Sequence, residues 1–136
     1  MRVEKIGPNN YKEGLMRIKK MTCVVLVYHP QCGHCIQMRS SWEAMKPLAN
    51  PRANIVEVNA EGMHGSREMS GSAIGQGTNG FPSVMMMKKN KIVAKYDGER
   101  SPEKFAEFVN KSVEPISKAR TKARPKGGKT KKVRRK

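Results

Sequence analysis

Apolar and polar positions along the chain fall into runs of two periods. Thr22–Tyr28 (TCVVLVY) is a continuous apolar run, as a strand covered on both faces requires. Asn54–Asn59 (NIVEVN), with Ile55, Val56 and Val58, predicts a second core strand. Residues 2–6 predict a short edge strand, stopped by Gly7-Pro8. Ser83–Lys88 (SVMMMK) and 92–96 predict a hairpin turning at Lys89-Asn90. Helical spacing appears in three places. Asn9 or Asn10 is expected to cap a helix reaching Lys20, with Tyr11, Leu15 and Ile18 on one face and Gly14 weakening it. From Cys32 towards Leu48, Met38, Trp42 and Met45 recur at i, i+4 and i+7. Ser101-Pro102-Glu103 predicts a capped start for a helix carrying Phe105, Phe108, Val109 and Val113, ending before Pro115.

Residues 60–80 are punctuated by six glycines, with one short helix expected over 66–74. The predicted order is (β)αβαβ, a loop, then ββα. That order implies an α/β domain, a mixed sheet with helices on both faces, over 1–116.

Charge changes the picture only at one end. The chain of 136 residues carries 28 Lys+Arg against 11 Asp+Glu, a net charge of +17. Eleven of the basic residues and no acid fall within 117–136, leaving 1–116 at +6. Such a tail cannot bury enough apolar surface to offset its ordering entropy, and it is expected to be disordered. Its positive charge suits a polyanion, bound without sequence preference because no aromatics are present for stacking. Lys129, Lys131, Lys132, Arg134, Arg135 and Lys136 are the candidate contacts, to nucleic acid or to an acidic surface. The same residues fit a nuclear-import signal. The first 20 residues mix charges without an apolar core, so no signal peptide is expected, and the site of action is expected to be cytoplasmic or nuclear. No run is long enough for a transmembrane helix.

The chemistry concentrates in Cys32-Gly33-His34-Cys35, directly after a core strand and at the start of a helix. Cysteines at i and i+3 across a first turn can close a small disulfide. The orphan N–H groups of that turn stabilise a thiolate on the first of them. Cys32 is therefore the expected nucleophile and Cys35 the shielded thiol that resolves the mixed disulfide. A protonated His34 would favour the Cys32 thiolate. The alternative is half a zinc site, with Cys23, His29 and His64 as remaining ligand candidates. The strand-to-helix junction favours the redox pair, so neither metal nor cofactor is expected. Cys23 reads as a buried core residue.

The junction resembles the thioredoxin fold, and CGHC resembles the active site of a protein disulfide isomerase domain. The likeness covers 20–113: Val24–Cys35 (VVLVYHPQCGHC) as core strand and active-site turn, Gly80-Phe81-Pro82-Ser83 as the facing loop, then the hairpin and last helix. It implies a thiol–disulfide oxidoreductase or isomerase acting on protein thiols and disulfides. It also implies a cis bond before Pro82, with Phe81 and Pro82 presenting backbone and an apolar lip to an extended substrate. Three positions depart from the family pattern. Gln31 replaces a tryptophan, Ser40 a helix-kinking proline, and Leu26 a buried acid that relays a proton to the inner cysteine. Glu57 on the neighbouring strand is the candidate stand-in, unless the strand's alternation turns it to solvent. Size and tail also resemble thioredoxin-like proteins of large DNA viruses. That likeness implies an alternative, a structural or binding module tethered by its tail in a nucleoprotein or virion assembly.

Overall fold

A computed structural model describes residues 1–113; the expected tail at 117–136, with its six candidate polyanion contacts, lies outside the described residues. Five strands form one sheet: β1 (Arg2–Ile6), β2 (Thr22–Tyr28), β3 (Asn54–Asn59), β4 (Ser83–Lys88) and β5 (Lys91–Tyr96). Their order across the sheet is β1-β3-β2-β4-β5. β1, β3 and β2 run parallel, and β4 and β5 each run antiparallel to their neighbour. The helices are α1 (Tyr11–Ile18), α2 (Gly33–Met45), α3 (Arg67–Ser70), α4 (Ala73–Gly77) and α5 (Pro102–Lys111). This is a mixed α/β sheet of the thioredoxin type.

The apolar run of β2 is continuous because both faces are covered. Cys23, Val25 and Val27 point into one layer with Ile18 of α1, Met69 of α3 and Ile74 of α4. Val24 and Leu26 point into the other, with Trp42 and Met45 of α2 and Phe105 and Val109 of α5. The Met85-Met86-Met87 run divides the same way, its outer two in the first layer and Met86 in the second. Trp42 meets Phe105 edge-on, ring centres 5.3 Å apart. The hairpin closes on Lys89 and Asn90, both with positive φ (49° and 69°), as a two-residue turn matching the strands' twist requires. The Ser101 hydroxyl accepts the Lys104 N–H at 3.2 Å and starts α5 as its sequence predicts.

Four local expectations differ in the structure. Asn10 precedes α1, but its side chain turns backward, accepting the Gly7 N–H at 2.7 Å and donating to the Lys5 carbonyl at 3.2 Å. Gly14, expected to weaken α1, is what lets the helix lie on β1: a Cβ there would come within 2.6 Å of Ile6 Cγ1. Helix α1 stops at Ile18 and α2 at Met45, each one turn or less short of the sequence expectation. The single helix expected over 66–74 is two, preceded by a 3₁₀ turn at Met63–Gly65. Ser72 breaks the run by capping the second piece through the Gly75 N–H at 3.0 Å.

Candidate redox site

Strand β2 ends at Tyr28, and the turn His29–Gln31 delivers Cys32 to the N-cap of α2. Cys32 has extended backbone angles (φ −85°, ψ 119°), and its sulfur takes the place of the usual capping oxygen. It accepts the Cys35 N–H at 3.3 Å. Its own N–H is tied back to the His29 carbonyl at 3.1 Å. Cys32 is half-buried, whereas Cys35, one turn in, is 7% exposed. Gly33 and His34 are exposed between them, and a Cβ at Gly33 would meet nothing within 4 Å. The approach to Cys32 is thus open from that side.

The two thiols sit in opposite electrostatic states. A hydrogen bond from the Cys35 thiol, opposed by partial desolvation, pulls the Cys32 pKa below its ordinary value. The backbone N–H groups of Cys35 and His34 and the charge of Arg100 pull in the same direction. Burial, and then the neighbouring Cys32 sulfur, push the Cys35 thiol up to about 11. The part of His34 that reaches the sulfur is its backbone N–H. Arg100 is a residue the sequence reading missed. It lies in the loop between β5 and α5, 65 or more positions from either cysteine, and no local pattern marks it.

The facing loop comes from the other side of the sheet's centre. The Phe81–Pro82 bond is cis. The Cys32 thiol donates to the Phe81 carbonyl at 3.5 Å, so the loop's backbone meets the nucleophile directly. The Phe81 ring tilts against His29, centres 5.8 Å apart, and forms a lip beside Cys32 where Gln31 supplies no aromatic surface. Phe81 and Pro82 are both half-buried.

Behind the helix turn lies a cavity of about 330 Å³, lined by Leu26, Tyr28, His29, Cys35, Arg39 and Asn59 among others. Among the described residues, no carboxylate lines the cavity that the inner thiol faces. Glu57 is the direct register partner of Leu26 across β2 and β3. It is buried, not turned to solvent, accepting Trp42 Nε1–H at 2.9 Å and Lys46 Nζ at 2.7 Å. Burial pushes its pKa up, but Lys46 and Trp42 outweigh that and hold it below the ordinary carboxylate value. Lys46 is raised in turn, desolvation being outweighed by Glu57 and Glu43. The pair is charged on both sides, an acid engaged under α2 instead of beside Cys35.

Among the described residues, no three His, Cys, Asp or Glu side chains come together as a metal site. His64, a zinc-ligand candidate by sequence, lies in the 3₁₀ turn before α3. Cys23 is fully buried in β2, its thiol pushed up to about 12 by desolvation.

The thioredoxin family model matches residues 2–111. Protein disulfide-isomerase 1 of Caenorhabditis elegans is 33% identical over 103 residues, covering 74% of this chain and 20% of that protein. Protein disulfide-isomerase 2-3 of Arabidopsis thaliana is 27% identical over 130 residues, 93% of this chain and 28% of that one. The chain thus spans about a fifth to a quarter of these relatives' length. Of solved structures, the J-Trx1 fragment of ERdj5 superimposes with a TM-score of 0.61 at 22% identity, over 80% of this chain and 51% of that one. The reduced thioredoxin pre-protein of Schistosoma mansoni does so with 0.57 at 16% identity, over 82% and 98%. These two structures share the fold. The likeness to proteins of large DNA viruses finds no support among these relatives. With a CxxC pair at the mouth of this sheet and a family match over nearly all the described residues, the chain belongs to the thioredoxin family.

Proposed function

We propose that the protein is a thiol–disulfide oxidoreductase that exchanges, and reshuffles, disulfides in protein substrates through Cys32 and Cys35. The observation that carries this reading is the asymmetry of the pair: an accessible sulfur with a lowered pKa, beside a buried one raised to about 11. The Cys32 thiolate attacks one sulfur of a substrate disulfide. The substrate S–S bond breaks, the departing sulfur takes a proton, and a Cys32–substrate disulfide forms. Cys35 then loses its proton and attacks Cys32, which releases the second substrate thiol. Two electrons have passed to the substrate, and Cys32–Cys35 is oxidised. The reverse sequence oxidises a substrate dithiol, and the partner's potential sets the direction. An extended substrate chain would lie along Phe81 and Pro82, whose backbone already reaches Cys32.

The isomerase side of the proposal rests on the second step. Cys35 is buried, raised, and faces a cavity lined by Leu26 where the resemblance expects an acid. Slow resolution leaves the mixed disulfide time to be attacked by another substrate thiol. Several relatives carry the name protein disulfide-isomerase, which supports the same reading. The eleven Lys/Arg of 117–136 support attachment to a polyanion alongside it.

Two assays test the proposal. Insulin reduction and refolding of scrambled ribonuclease should both fall to background in Cys32→Ser; activity that survives overturns the redox reading. Cys35→Ser should lose insulin reduction yet keep refolding of scrambled ribonuclease. Loss of both would confine the protein to net oxidation and reduction.

A further inference from the structure

The sheet has two ends, and the redox site occupies only one. Cys32 lies beyond the carboxyl end of β2. At the amino end of β2, stretches far apart in sequence converge. Lys19 and Lys20 come just before the strand, and Lys88, Lys89 and Lys91 come from the β4–β5 hairpin. Thr22 pairs with Lys88, and the Lys89 N–H donates to the Met21 carbonyl at 3.2 Å. Arg52 arrives at the same end, in the loop leading to Asn54, whose amide donates to the Thr22 carbonyl at 3.1 Å. Five of these six cations are exposed and Lys88 is half-buried. Among the described residues, none of the six has a carboxylate within 4.0 Å; the ion pairs involve other basic groups.

Neighbouring strand ends stand about 5 Å apart. Lys88 and Lys91 are register partners on adjacent strands, and like charges paired across a sheet repel, so an anion laid over them lowers the energy of this pole. The cations are spread over several chain segments and do not converge on one point, which suits a repeating polyanion better than a single small phosphate. The aromatic residues near a sheet end cluster at the redox end: Tyr28, Phe81 and Tyr96. Among the described residues, the pole thus has no stacking surface for bases and no aromatic anchor for a bilayer interface. Helix α5 runs back towards the pole, where Asn110 Oδ1 accepts the Asn50 N–H at 2.7 Å, two residues from Arg52. The described chain ends at Val113 on this side, and the sequence that follows places eleven Lys/Arg and no acid in 117–136.

We propose that the folded body binds the phosphate backbone of duplex nucleic acid, without sequence preference, through Lys19, Lys20, Arg52, Lys88, Lys89 and Lys91. Seven residues of β2 separate this pole from the redox turn, about 20 Å of strand. Bound nucleic acid therefore leaves Cys32 open to substrate.

The test uses the full chain, so that 117–136 is present in every sample. A labelled 25-base-pair duplex of random sequence is titrated at increasing salt, against wild type and against the variant K19Q/K20Q/R52Q/K88Q/K89N/K91Q. Asparagine is chosen at 89 because it tolerates the positive φ there. Each phosphate contact contributes about 0.9 to the slope of log affinity against log salt. The slope should fall by about 3 or more, and affinity near 0.1 M salt about tenfold or more. An unchanged slope and affinity would assign all binding to 117–136 and overturn the proposal. So would a loss by the variant of binding to polyglutamate or phosphatidylserine vesicles while its binding to the duplex stayed intact. If the six-site variant does not fold, K19Q/K20Q and K88Q/K89N/K91Q are measured separately, and each must show a share of the loss. The readout does not use the thiols, so it stands or falls apart from the redox reading.

Discussion

Cys23 near the start of β2 and Cys32 just beyond its end lie nine residues apart on one stretch of chain, yet their sulfurs behave as different groups. Around Cys23 the sheet's packing shuts out solvent, and desolvation drives its thiol up to about 12. Around Cys32 the same strand has run out. The first turn of α2 supplies N–H donors, Cys35 supplies a thiol hydrogen bond, and Arg100 supplies positive charge. Cysteine chemistry here is decided by what surrounds the sulfur, and a few residues of chain separate an inert environment from an activating one.

The comparison can be broken most directly by alkylation. In the folded protein Cys32 should react with iodoacetamide about a thousandfold or more faster than Cys23 at neutral pH. Its rate should rise with a midpoint below 9.0, the ordinary thiol value. Mass-spectrometric mapping of labelled cysteines checks this, and comparable rates at the two sites would refute the contrast. Next in size is the core against which the redox turn is braced. Trp42 is fully buried between α5 and Glu57, and Trp42→Ala should cost about 3–5 kcal/mol in denaturant unfolding. A smaller loss, about 1–3 kcal/mol, is expected of Glu57→Ala, which leaves Trp42 Nε1–H unpaired while Lys46 keeps Glu43 and solvent.

Alkaline pH separates the two sulfurs by sign. A raised thiol pKa means the folded state holds its proton while the unfolded chain loses it. Stability from that source is full below pH 9 and falls as pH rises towards 12. Cys32, with its pKa lowered, contributes in the opposite sense, gaining stability as pH climbs towards 9. Thermal melting followed from pH 8.5 to 11 should therefore decline less steeply in Cys23→Ala than in wild type. Parallel declines would show that Cys23 is not protected. The smallest effect expected is at Arg100: Arg100→Gln should raise the Cys32 and Cys35 pKa values together, read by thiolate absorbance.

Much of the framework was visible as periodicity. A continuous apolar run named the central strand, and Ser101-Pro102 named the start of α5, because strand burial and helix capping are local in sequence. The CGHC turn was equally visible, since its chemistry needs only a strand, a turn and a helix start in succession. What could not be read were the effects of residues brought in from elsewhere. Gly14 looked like a helix weakness until Ile6 was found where its Cβ would be. Glu57 alternates along β3, and alternation alone does not say which face of that strand is buried or that Lys46 waits there. Arg100 acts on the thiols through space, across a separation that no motif spans.

The sequence by itself determined the elements and the reactive pair, because propensity, capping and hydrophobic period act over a few residues. Tertiary structure alone decided which distant groups reach the activated thiol, where the buried acid rests, and that lysines from two distant turns share one end of the sheet. Those outcomes depend on burial and on Coulomb interactions across chain crossings, and neither is a property of any local stretch of sequence.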